Sequence, residues 1–126
     1  MGRQLISTDR APRSALWSQG VRVGDHVHVA GMTGVDPATG ALAGPTIQEQ
    51  TRRAVLNCLA VLDAAGAGYD DIVEVGVLLA DPADFEGLNE EYARAFPDRP
   101  PTRYVARLGV ELPGVLVSLR MTAITS

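Results

Sequence analysis

The sequence predicts an α+β fold, a single sheet with two helices on one face. Three observations predict it. A helix-start signal at Pro45-Thr46 with Glu49 three residues on precedes apolar residues at three- and four-residue spacing. A second start signal stands at Asp81-Pro82. Around both, short stretches place apolar residues at every second position, the period of a strand. The chain has 126 residues, enough for one hydrophobic core, so residues 1–126 are read as one domain.

Asp25 to Ala30 alternates, with Val27 and Val29 on one face and His26 and His28 on the other. Asp36-Pro37-Ala38-Thr39-Gly40 is a turn cluster. In the first helix the Thr46 hydroxyl can accept from the Glu49 amide while the Glu49 side chain reaches back. Its apolar face runs Thr51, Ala54, Val55, Cys58, Val61, Leu62 and Ala65, and Gly66 and Gly68 are expected left-handed stops. Val73, Val75, Val77 and Leu79 line one face of the next strand. Asp81 suits an N-cap and Pro82 the first helical position. Phe85, Leu88, Tyr92 and Phe96 make the second helix's stripe, and Pro97 ends it.

Tyr104, Ala106, Leu108 and Val110 share one face of the strand after Arg103, which directs Arg103 to the opposite, uncovered face. In the last strand Val115, Val117, Leu119, Met121 and Ala123 alternate with Leu116, Ser118, Arg120, Thr122 and Ile124. That second set is half apolar and lacks helices to cover it, which points to a subunit interface.

Composition narrows the partners. Hydrophobic residues are 46% and charged residues 21%, which opposes intrinsic disorder. A net charge of −4 gives no basic footprint for a phosphate backbone, so no nucleic acid is expected. No apolar stretch has the length of a membrane span, and the first residues lack a signal-peptide core, so no membrane is expected either. The single Cys58 excludes an intramolecular disulfide and favours a reducing, cytoplasmic setting. His26 and His28 share a strand face, but no third ligand is evident and no metal is expected. Arg52-Arg53 is too short to form a basic patch.

Ordered motifs over nearly the whole chain carry a resemblance. They are Trp17-Ser18-Gln19-Gly20-Val21, Val29-Ala30-Gly31, Asp36-Pro37-Ala38-Thr39-Gly40, Glu49-Gln50, Asn57 and Ala64-Ala65-Gly66. Asp71-Ile72-Val73, Asp84-Phe85, Asn89-Glu90-Glu91-Tyr92, Pro101-Thr102-Arg103 and Leu112-Pro113 follow. Together they resemble the YjgF/RidA family. The resemblance implies a chorismate-mutase-like homotrimer, its three sheets forming a central barrel with clefts between subunits. It also implies hydrolysis of imine or enamine carboxylates to 2-oxo acids and ammonia, with no cofactor.

Arg103 is the candidate catalytic residue, since the resemblance places it as the clamp on the substrate carboxylate. A planar guanidinium suits that role because it can give two parallel hydrogen bonds. Trp17, Gly31, Asn89, Val105 and Ser118 are the further expected substrate-binding residues. Several depart from the pattern that the resemblance implies. Ser118 stands where deaminating members carry a glutamate that holds the attacking water, and a lone hydroxyl cannot replace a carboxylate base. Glu111 is the nearest substitute in sequence. Trp17 replaces tyrosine, Ala30 and Met32 flank Gly31 in place of serine and glutamine, and Val105 stands where some members have cysteine. The pocket is therefore expected to be more apolar. The function read from the sequence is imine or enamine deamination. The alternatives are a non-catalytic metabolite-binding trimer and a pathway-specific enzyme on a recut cleft.

Overall fold

A computed structural model describes residues 2–126. The sheet comprises β1 (Gln4–Ile6), β2 (Gly20–Val23), β3 (His26–Val29), β4 (Met32–Thr33), β5 (Ile72–Leu79), β6 (Thr102–Arg107) and β7 (Val117–Ile124). Its strand order is β1-β2-β3-β7-β5-β6, with β4 also paired to β7. β6 runs parallel to β5 and forms the sheet's edge; the other pairings are antiparallel. This mixed sheet with helices α1 (Ile47–Ala64) and α2 (Phe85–Ala95) is the predicted α+β class.

α1 begins as its sequence predicts. Thr46 Oγ1 accepts from the Glu49 amide at 3.2 Å, and Glu49 returns a carboxylate oxygen to the Thr46 amide. The helix ends at Gly66, whose φ of +82° only glycine adopts without strain. Gly68 is not left-handed: its φ is −127°. Asp81 caps a single 3-10 turn, Pro82–Asp84, and α2 continues from it. Leu88, Tyr92 and Phe96 are buried as expected, whereas Phe85, first of the stripe, stays exposed.

The sheet's inner face holds Val27, Val29, Met32, Val75, Val77, Leu79, Val117, Leu119, Met121 and Ala123, all buried. Two expected strand faces need correction. A bulge between Ile72 and Glu74 turns Ile72 inward and leaves Val73 exposed. The larger correction concerns Arg103. Its register partner is Val75, and that of Tyr104 is Gly76. Arg103 and Val105 therefore share the helix-covered side with Val75 and Val77, and Tyr104 lies on the uncovered side. The apolar alternation Tyr104, Ala106 marks the open face of an edge strand, not the core. The strand also stops at Arg107, leaving Leu108 and Val110 in the following loop.

Two buried amides lock the loops. Gln50 Nε2 donates to the carbonyls of Gly44 and Gly114, at 3.0 and 2.9 Å, while its Oε1 accepts from the Leu116 amide at 2.8 Å. Asn57 Nδ2 donates to Thr33 and Val35, fixing β4 against α1. Gln50→Leu strands three backbone groups, so the expected cost is about 3 kcal/mol. Loss of the cap in Thr46→Ala is expected to cost about 1 kcal/mol. Urea denaturation midpoints check both values and their order.

Candidate functional site

The sequence-predicted site residues fall into two groups on opposite sides of the sheet. The first stands where α2 crosses the β6 edge. Arg103 Nη1 donates to Asn89 Oδ1 at 2.7 Å. The guanidinium carbon lies 4.8 Å from the centre of the Tyr92 ring and 5.9 Å from that of Phe85. Phe85, Asn89 and Tyr92 recur at spacings of four and three, so a single strip of α2 surrounds one arginine. Cation–π attraction and the hydrogen bond to Asn89 Oδ1 together hold the guanidinium. Val105 follows two residues on, on the same side of β6.

Charge in this group is uncompensated. Among the described residues no carboxylate lies within 4.0 Å of the Arg103 guanidinium. The contrast with Arg52 and Arg94 is sharp: both pair with the buried carboxylate of Glu91. Burial raises the pKa of the Tyr92 phenol, partly offset by the Arg103 charge, and its hydroxyl has no hydrogen-bond partner among the described residues. Phe85 and Val105 also line a cleft of ≈ 380 Å³ with Leu79, Pro82, Ala106 and Arg107.

In the second group, Gly31 and Ser118 lie together on the uncovered face. A Cβ built on Gly31 would stand 3.1 Å from Ser118 Oγ, so the two residues are in contact range. The segment carrying Trp17 is tied beside them, because the Ala30 amide donates to the Gln19 carbonyl at 2.8 Å. Gln19 is buried and holds the preceding loop through Thr8, Ala11 and Pro12. Trp17 itself is 41% exposed. Ser118 is flanked by Thr33 on β4 and Leu78 on β5, and Leu78 pairs with Ala106. It thus stands two strands from β6 and on the other side of the sheet from Arg103. Glu111 is exposed on the loop after β6 and joins neither group.

The sequence pattern identifies Phe85 and Tyr92 only as core residues. The missed signal was their spacing around Asn89, which fits a ring-and-amide cage as well as a core stripe. His26 and His28 are exposed on the open face with ring centroids 6.3 Å apart. Among the described residues no group of three His, Cys, Asp or Glu side chains could hold a metal ion. Among them, too, no helix is long and apolar enough to cross a membrane.

Cys58 is fully buried, and desolvation pushes its thiol pKa up. The unfolded chain releases that proton near the ordinary value of 9.0, while the folded chain retains it. Stability is therefore complete below this value and falls as pH rises through it, by about 1.4 kcal/mol per pH unit at most. Dithionitrobenzoate is expected to label Cys58 at the rate of unfolding; rapid labelling of native protein contradicts this burial.

Comparison with known proteins agrees with the architecture. Residues 8–125 match the family model described as Endoribonuclease L-PSP. A RutC family protein of Saccharolobus solfataricus is 39% identical over 122 residues, 96% of this chain and 97% of that protein. The human 2-iminobutanoate/2-iminopropanoate deaminase is 32% identical over 123 residues, 97% of this chain and 90% of that protein. The crystal structure of TdcF of E. coli with bound serine superposes with a TM-score of 0.91 at 31% identity, covering 98% of this chain and 99% of that one. With its mixed sheet, two helices and near full-length matches, the chain belongs to the Endoribonuclease L-PSP family, the YjgF/RidA family of chorismate-mutase-like fold.

Proposed function

We propose that this protein hydrolyses a small imine or enamine carboxylate to a 2-oxo acid and ammonia, with Arg103 holding the carboxylate. One observation carries the reading: a guanidinium fixed by Asn89 and two rings, with no counter-charge among the described residues. Such a group has donors to spare and a charge to neutralise, which a carboxylate supplies in bidentate form. The name of the human relative, an iminobutanoate and iminopropanoate deaminase, supports the same chemistry.

The two-sided placement of the residues supports a shared site. No small substrate can touch Arg103 and Ser118 of one chain, because the sheet lies between them. A second copy bringing its Trp17–Gly31–Ser118 surface to the Arg103 edge would complete a cleft. That arrangement agrees with the homotrimer and central barrel the family resemblance implies, and with the uncovered sheet face. Leu5, Val23 and Ile124 are exposed on that face and would be buried there.

The clamp orients the substrate's C=N carbon toward water, a proximity effect. Water adds to that carbon as the imine nitrogen takes up a proton. The tetrahedral amino alcohol then expels ammonia and leaves the C=O of the 2-oxo acid. Ser118 Oγ has no hydrogen-bonded histidine or carboxylate among the described residues, so it is no base. The basic imine nitrogen becomes the proton acceptor, and positioning supplies most of the acceleration.

Ser118 also favours a second reading, a non-catalytic metabolite-binding or regulatory trimer in which Arg103 binds ligand without turnover. Imines generated in situ by an amino-acid oxidase separate the two. Deamination predicts 2-oxo acid and ammonia release faster than in buffer, and a loss of about a hundredfold in kcat/KM on Arg103→Ala. No acceleration with any imine of an apolar panel removes the enzymatic reading. Ser118→Glu supplies the missing carboxylate and is expected to raise kcat at least about tenfold. Sedimentation is expected to give three copies; a fully active monomer would sink the shared site.

A further inference from the structure

A second guanidinium stands on the same side of β6 as the clamp. Arg103, Val105 and Arg107 face the register partners Val75, Val77 and Leu79 in turn. With strand residues rising about 3.3 Å each, the Cα atoms of the two arginines are about 13 Å apart. Like Arg103, Arg107 has no carboxylate within 4.0 Å among the described residues. An exposed, unpaired arginine is ordinary on its own. Its placement is what bears on function.

Arg107 lines the cleft of ≈ 380 Å³, and Arg103 borders it through Phe85 without entering its lining. Phe85 links the two, since it lines the cleft beside Arg107 and its ring centre lies 5.9 Å from the Arg103 guanidinium carbon. The floor between them, Leu79, Pro82, Phe85 and Val105, is apolar. An apolar cleft with one guanidinium in its wall and a second bordering it through Phe85 matches a molecule whose hydrocarbon joins two anionic ends. Arginine's long stem lets the outer guanidinium lean toward its ligand.

We propose that Arg107 is a second anion-binding group, and that the cleft selects 2-imino or 2-oxo acids whose apolar chain ends in a second carboxylate. This rests on the reading of Arg103 as the first carboxylate's clamp, though not on turnover. A single carboxylate would leave Arg107 unpaired. A short diacid would not reach it, so chain length enters the selection with charge. Hydrophobic burial of the connecting methylenes adds affinity that neither arginine supplies.

Calorimetric titration of the assembled protein with 2-oxooctanedioate and 2-oxooctanoate tests the proposal. The two probes share a chain length and differ only in the distal carboxylate. The diacid is expected to bind at least tenfold tighter, with the excess shrinking as salt rises. Arg107→Gln is expected to erase that preference, and Arg103→Gln to weaken both acids. Because Arg107 is exposed, its variant is expected to melt with the wild type, which a thermal scan verifies. Equal binding of the two acids, binding of neither, or a preference that survives Arg107→Gln overturns the proposal. Diacid preference without imine turnover sinks the hydrolytic reading alone; turnover without diacid preference sinks this one alone.

Discussion

Side-chain alternation along β5, β6 and β7 governs which groups of this protein can ever meet. Arg103 shares a face with Val75, and Ser118 shares the opposite one with Leu78. A slip of one residue in β6 would exchange Arg103 for Tyr104 beneath α2 and destroy the cage. Register is held against that slip from both sides. Val75, Val77 and Leu79 are buried on the inner face, and Tyr104 lies across Gly76 on the outer one, where a Cβ would stand 2.5 Å from its hydroxyl. The phenol also accepts from Arg120, which approaches Glu74.

The geometry around Arg103 is set by how α2 docks. Leu88 anchors the helix in the core, while Glu91, nearly sealed from solvent, receives Arg52 from α1 and Arg94 from its own helix. Removing either arginine would leave a buried carboxylate short of charge, which is costly. This three-membered ion network and the buried stripe of Leu88, Tyr92 and Phe96 together favour one rotation of α2. Rotation in turn decides whether Phe85, Asn89 and Tyr92 face β6. Close approach of the helices adds a further constraint: a Cβ on Gly87 would come within 2.5 Å of Ile47.

Much of this was legible from residue order. The capping box of α1, the Asp81-Pro82 entry to α2 and the alternation of β7 are local signals, and local hydrogen bonding or pleat geometry enforces them. What misled was nonlocal. The bulge at Ile72/Glu74 depends on pairing with β7, so Val73 looked like a core residue. Tyr104 and Ala106 looked like an inner face because apolar alternation does not say which side is covered. β1, β2 and β4 are two to four residues long, too short for periodicity to separate from loop. For the site, the resemblance pointed to Arg103 and Asn89 as neighbours of the ligand. Their mutual bond, and the aromatic rings around it, required the helix to be seen against the strand.

β6 is also a terminal strand of the sheet, and such a border is a template on which further chains can add without limit. Here the border is short and disfavours that growth. Pro100-Pro101 stands immediately before it, removing amide donors, and Arg103 and Arg107 bring positive charge to its length. The arginines proposed to capture ligand would thus also guard the protein against fibrous self-association.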